Sequence, residues 1–494
     1  MSSGTIEATP ERVSVRSALA PVAALLLGTA LLYLGYGLQA TLIPLRADLE
    51  GFSRVAIGLL SSTYYAGFVA GCVFAPYLIL RAGHIRAFAA MVSLVSAAAL
   101  SFPLVTDEVS WMVFRFGTGF CISGLLVIIE SWLNEKATNT TRGTVMSTYI
   151  VITYATISIG QLGVAVQPIS SFALFAMCSI MLSIAAVPVA LTKASQPAPI
   201  PVVKFNPGIL WQTAPAAFVG SFLSGVMAGS FNGLGSIFAI DSGFRTDEAA
   251  IFVSASVMGG AIGQYPLGRI SDFVDRRLVL LGAAAATAAI GLLMAFADFL
   301  PDIMILAFGF VVGLTMLPIY SLAAAHAYDW TPPEEIVPTS AALLIVFGVG
   351  SIFGPLVAST MMALIGPGGL FLTIACSAVT LVLFVSARIT IRRRPKEEFR
   401  SDFDYASTAV VGGAITPEII EEDDPSMEMP VGFTPFAAGV DDDDEPNGDT
   451  IEAPHEDDDL ITAPAPAAES LDVAAAQAGE TPAPADHDTA SGST

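Results

Sequence analysis

Twelve long apolar stretches occupy roughly the first 390 residues, and nearly all the lysines and arginines fall in alternate gaps between them. Crossing a hydrocarbon core of about 30 Å takes about 20 apolar helical residues, and stretches such as 17–45, 209–240 and 303–327 meet or exceed that length. Inside lipid every backbone N–H and C=O must be satisfied within the segment or in a closed barrel, so runs this long and continuous predict helices. The expected fold class is an all-α membrane protein with 12 transmembrane helices. The pattern places them near 17–45, 54–79, 87–106, 110–134, 143–166, 169–191, 209–240, 248–270, 278–298, 303–327, 338–363 and 369–388.

The distribution of cations orients these spans. With residues 1–16 on the cytoplasmic side, the inside segments carry 17 Lys and Arg, against Arg46, Arg54 and Arg245 outside. Arg115 alone lies within a span. Cytoplasmic loops of membrane proteins hold the excess of positive charge, so both termini are expected in the cytoplasm. The net charge of −23 belongs to the far end of the chain: residues 401–494 hold 24 Asp and Glu and no Lys or Arg. Low hydrophobicity and high charge leave too little apolar surface to offset ordering entropy, so this segment is expected to be a disordered acidic tail. The first apolar run is too long for a signal h-region and is expected to be retained.

A Pro-rich connection at 192–208 divides the spans into a six-helix bundle at 17–191 and another at 209–388, followed by a basic juxtamembrane segment at 389–400. Two stretches repeat at an offset of 192 residues. The second runs Gly263-Gln-Tyr-Pro-Leu-Gly268-Arg269-Ile-Ser-Asp272-Phe-Val-Asp275-Arg276-Arg277; the first starts at Gly71 and ends Arg81-Ala82-Gly83-His84-Ile85-Arg86. Matching basic loops in two six-helix halves are a property of parallel-repeat transporters.

These loops resemble the G-x-L-x-D-R-x-G-R-R signature of the major facilitator superfamily, matched by Gly268, Asp272, Arg276 and Arg277. Arg115-Phe-Gly-Thr-Gly119, Glu130-Ser-Trp-Leu, Arg142-Gly143, Gly160-Gln161 and Gln264-Tyr-Pro-Leu-Gly resemble the YcaD-like group of bacterial permeases, over about residues 20–390. The resemblance implies two six-helix bundles and transport of a small solute by alternating access, with the lipid bilayer and a proton or other coupling ion as partners. It implies no nucleic-acid partner, enzyme chemistry, metal or cofactor, and a monomer in the bacterial inner membrane. A transporter-like sensor or scaffold acting through the acidic tail is the alternative. Leu80 stands where the first-half signature has Asp, so the charge network at the inner face rests more on Asp272.

The resemblance makes Arg81, Gly83, Arg86, Glu130, Arg142, Gly268, Arg269, Asp272, Asp275, Arg276 and Arg277 inner-gate candidates; for Glu130 a solvated helix end is the alternative. Arg115 is costly inside a span and normally faces protein or a wet cavity. Its readings are proton coupling by the resemblance, a counter-ion for a substrate carboxylate or phosphate, or a side chain snorkelling to the outer headgroups. Helices one, four, seven and ten line the cavity in this family, which makes Tyr36, Gln39, Asn232 and Tyr320 candidates, with Gln161 and Gln264 beside them. His326 and Asp329 read as the inner end of the tenth span. Gly350-Ser-Ile-Phe-Gly354-Pro355 reads as close helix packing or a kink. Cys72, Cys121, Cys178 and Cys376 are dispersed and read as small packing residues.

Overall fold

A computed structural model describes residues 19–391, apart from 139, 192–206, 297–299 and 333–334. The expected 1–16 segment, most of the 192–208 connection and 389–400 segment, and the tail at 401–494 lie outside the described residues. Within them the chain is helical and holds twelve helices long and apolar enough to cross a membrane. In order they are α1 (Ala23–Leu49), α2 (Arg54–Ala82), α3 (His84–Ser101), α4 (Glu108–Lys136), α5 (Arg142–Leu162), α6 (Phe172–Ala190), α7 (Pro215–Asp241), α8 (Thr246–Phe273), α9 (Arg276–Ala295), α10 (Asp302–Met316 continued by Pro318–Tyr328), α11 (Ile336–Ile365) and α12 (Gly369–Ile391).

Prolines revise two of the expected spans. The run at 209–240 is divided into a short helix, Pro207–Thr213, and α7. The break falls at Ala214 (φ −134°, ψ 66°), because the ring of Pro215 clashes with a helical predecessor. The run at 303–327 is divided at Leu317, where Pro318 has no N–H to return to the preceding turn. Tight turns elsewhere depend on glycine: Gly51 and Gly83, with φ of 83° and 81°, reverse the chain after α1 and α2 in a region other residues avoid.

Lipid offers no hydrophobic drive between helices, so they associate where small residues let backbones approach. In the first half, a Cβ on Gly37 or Gly160 would strike backbone across the α1–α5 crossing. One on Gly67 or Gly119 would do so between α2 and α4. The second half repeats this: Gly225 and Gly350 at α7–α11, Gly259 and Gly313 at α8–α10. The pairs 1–5 and 2–4 thus recur as 7–11 and 8–10, six helices on. This packing is the spatial counterpart of the loop repeat. It also gives Gly350 and Gly354 the close-packing role, against Phe222 and Val226 of α7.

Candidate functional site

Between the halves, at mid-depth, lies a cavity of about 170 Å³, far above the ~10–15 Å³ that holds one water. Residues of α1, α2, α4 and α5 face it from one half and of α7, α8, α10 and α11 from the other. Of the candidates read from the sequence, Arg115, Tyr36, Gln161, Asn232 and Tyr320 line it. Gln264 does not, but its Nε2 donates to the hydroxyl of Tyr154, which does, at 2.7 Å. Gln39 is buried away from the cavity, to which its neighbours Ala40 and Thr41 contribute instead, and its amide has no partner among the described residues.

The stripe on α2 was missed. Ser61, Tyr64, Tyr65 and Phe68 all line the cavity, and their i, i+3, i+4, i+7 spacing puts them on one face. That periodicity was available in the sequence, and only the choice of helices one, four, seven and ten hid it. Tyr64 packs edge-on against Tyr65 (ring centroids 5.2 Å apart) and beside Tyr36 at 6.1 Å. Asn232 of α7 donates to the Tyr65 hydroxyl at 3.2 Å, joining the two halves across the cavity wall.

Arg115 sits seven residues into α4, about 10 Å along its axis. Only 7% of it is exposed, which excludes the snorkelling alternative: the guanidinium lies among helices rather than at the headgroups. Its carbon is 4.5 Å from the centre of the Tyr64 ring, a cation–π contact. Nε reaches the Leu60 carbonyl at 3.5 Å, the outer limit of a hydrogen bond, and Nη1 has no partner among the described residues.

Glu130, lower on the same helix, is fully buried, so the solvated-helix-end alternative is corrected. The apolar residues around the helix enclose it about 9 Å before Lys136, which ends α4. Tyr149 of α5 donates to its Oε1 at 3.2 Å.

The end of the bundle carrying the basic loops gathers the remaining candidates. Arg81 and Arg86 are exposed on either side of the Gly83 turn. Arg142 donates to Asn134 at 3.1 Å. Arg269 pairs with Asp272 at 3.4 Å and lies over Phe273, and Gly268 accepts from Ser271. Asp275 caps α9 by accepting from the Arg277 N–H and pairs with its guanidinium at 3.0 Å. Burial pushes the Asp275 carboxyl up, but the Arg277 donors together outweigh it and hold it below the ordinary carboxylate value. Arg276 pairs with Asp329 at 3.3 Å and donates to the Ala325 carbonyl at 2.7 Å. Asp329 and His326 are 5% exposed, so they are packed partners of the loop rather than interfacial residues.

At the opposite end the halves are fastened together. Arg54, at the start of α2, pairs with Asp48 of α1 and at 2.6 Å with Asp241 of α7. A cation in the first turn of a helix is opposed by the helix dipole, and the two carboxylates offset this. Ser62 donates to the Ile352 carbonyl (2.7 Å), and Ser254 to that of Ser158 (3.0 Å). None of these pairs was foreseen; apart from Arg54–Asp48, each joins residues about a hundred or more positions apart.

The family described as Major Facilitator Superfamily matches residues 216–419 of the chain. A Yersinia enterocolitica protein described as uncharacterized MFS-type transporter YE1530 is 26% identical over 385 residues, covering 76% of this chain and 97% of its own. The Escherichia fergusonii protein described as uncharacterized MFS-type transporter YcaD is 26% identical over 375 residues, covering 74% and 95%. Among solved structures, the nucleoside transporter NupG (D323A mutant) superposes with a TM-score of 0.64 at 15% identity, over 74% of this chain and 99% of that one. A bacterial homologue of the human lysosomal transporter Spinster, described as inward-facing and occupied, gives 0.61 at 14%, over 79% and 99%.

Proposed function

We propose that this chain, a membrane transporter of the major facilitator superfamily, carries a small solute across the bacterial inner membrane by alternating access, with both termini in the cytoplasm. The observation that carries the reading is the mid-depth cavity walled by both halves. Secondary transporters hold their solute at the repeat interface near the bilayer midplane and expose it by rocking one half against the other. On this reading the state described is closed toward the outside, where Arg54–Asp241, Ser62–Ile352 and Ser254–Ser158 join the halves. The likeness in fold to an inward-facing Spinster homologue supports it. The 17-to-3 bias of cations supports the orientation.

The gate of the cytoplasmic side is then built around Arg81, Gly83, Arg86, Glu130, Arg142, Gly268, Arg269, Asp272, Asp275, Arg276 and Arg277. Glu130, a fully buried carboxyl that accepts from Tyr149, supplies a titratable group for coupling to protons. Spin labels test the cycle in nanodiscs. One pair sits at exposed Leu49 and Ile251 on the outer side and another at exposed Leu80 and Val274 on the inner side. Two distance populations are expected at each pair, the outer distance lengthening as the inner one shortens. A single, condition-independent distance at both ends would sink alternating access.

A further inference from the structure

The lining of the central cavity contains six tyrosines, hydroxyls, amides and apolar groups, and one side chain that is charged at neutral pH, Arg115. No Asp or Glu lines the cavity among the described residues. Arg115 is more than nine-tenths buried, its Nη1 has no hydrogen-bond partner among the described residues, and its closest compensation is the face of the Tyr64 ring. A buried cation without a counter-charge is strongly unfavourable, and a cation–π contact offsets only part of that. The site is therefore electrostatically incomplete when empty.

We infer that the cavity takes a small organic monoanion, its carboxylate seated on the Arg115 fork and its body against the Tyr36, Tyr64 and Tyr65 rings. The inference rests on the cavity being the solute site. Charge count sets the valence: one guanidinium is neutralised by one carboxylate, whereas a dianion leaves a negative charge in a low-dielectric cavity and a cation adds a second positive one. Arginine's planar fork matches a carboxylate bidentately, which fixes the ligand's orientation as well as its charge. The rings beside the guanidinium set the body. Tyr36, Tyr64 and Tyr65 are already packed ring against ring. Aromatic faces of this kind accept a planar or apolar group by offset or edge contact, while Asn232 and Gln161, which also line the cavity, offer amides to polar substituents. A neutral solute would cover Nη1 and leave its charge unanswered.

The test uses the full chain in nanodiscs and three probes of similar size: benzoate, its neutral counterpart benzamide, and the dianion phthalate. Benzoate is expected to raise the melting temperature saturably and in preference to the other two. In Arg115→Gln its Kd is expected to weaken at least tenfold, with Arg115→Lys intermediate because the charge stays and the fork is lost. Equal stabilisation by benzamide, no stabilisation by benzoate, or unchanged affinity in Arg115→Gln overturns the inference. Should Arg115→Gln fail to fold, the comparison of benzoate with benzamide on the native chain still decides. The spin-label pairs separate the two readings. Two-state switching without benzoate binding sinks the anion inference and spares alternating access, whereas benzoate binding to a chain with one fixed distance does the reverse.

Discussion

Replacing Asp241 with Asn removes one charge from the outer fastening and nothing from the cavity. Arg54 Nη2 lies 2.6 Å from Asp241 Oδ1, with side chains 28% and 19% exposed. Two unit charges 4 Å apart attract by about 4 kcal/mol at an effective dielectric of 20, while exposed pairs measured by mutation give roughly 0.2–1 kcal/mol. The pair is partly screened, and Arg54 keeps Asp48 in the variant, so about 1 kcal/mol is the reasonable difference. Because this pair joins α2 to α7, that loss falls on the closed-outside state alone, and 1 kcal/mol shifts the two populations about fivefold toward outside-open. The Leu49–Ile251 spin-label pair reads the ratio directly. Asp48→Asn is the control, since it cuts an ion pair within one half and should shift the ratio much less. Raising salt from about 0.1 M to 1 M, which shortens the screening length from about 10 Å to 3 Å, should move the native chain in the same direction as Asp241→Asn. Unchanged populations in Asp241→Asn, or a shift toward the closed state, would refute the fastening role.

Arg276→Ala withdraws a guanidinium from a carboxylate that is 5% exposed, and is expected to destabilise the fold by about 3–5 kcal/mol; Arg276→Met combined with Asp329→Leu should recover much of it in thermal melts. Asp275, held below the ordinary carboxylate value by Arg277, contributes stability that is present above the ordinary carboxylate pKa and lost as pH falls through the lower folded value. Melting temperature followed below about pH 4 should therefore drop less steeply in Asp275→Asn than in the native chain; parallel acid limbs would dismiss the Arg277 contact as a source of stability.

What could be read in the sequence was set by distance along the chain. The spans and the cation bias are local properties, and the twelve helices appear where apolar length predicts them, except where Pro215 and Pro318 break a run that hydropathy reads as continuous. Arg115 was conspicuous because a cation in an apolar run is rare, but its depth alone left snorkelling open; the Tyr64 ring and the burial that close that question come from other residues. The α2 stripe was periodic and readable. Arg54–Asp241 and Arg276–Asp329 were not, because either partner alone is an ordinary charge at a helix end. Gln39 shows the converse limit: polarity in a span marks a residue as unusual without saying which way its helix is turned.

The packing supports the proposed rocking of one half against the other. Within each half the helices cross at glycines with backbone against backbone, so any relative slide creates overlap that costs several atoms' contact at once. Between the halves the described polar links are single bonds: Ser62 to Ile352, Ser254 to Ser158, Gln264 to Tyr154, Asn232 to Tyr65, and the Arg54–Asp241 pair. Hydrogen bonds between helices in a membrane average about 0.6 kcal/mol, so five such links amount to roughly 3 kcal/mol. That is the size of gap across which a ligand's differential affinity moves a two-state protein. A monoanion that neutralises Arg115 changes the electrostatics of α4 beside α2, the helix that starts at Arg54 and carries Ser62 two turns further on. Filling the cavity and loosening the outer fastening would therefore act on the same helix, and the ligand need favour one state by only a few kcal/mol to turn the cycle.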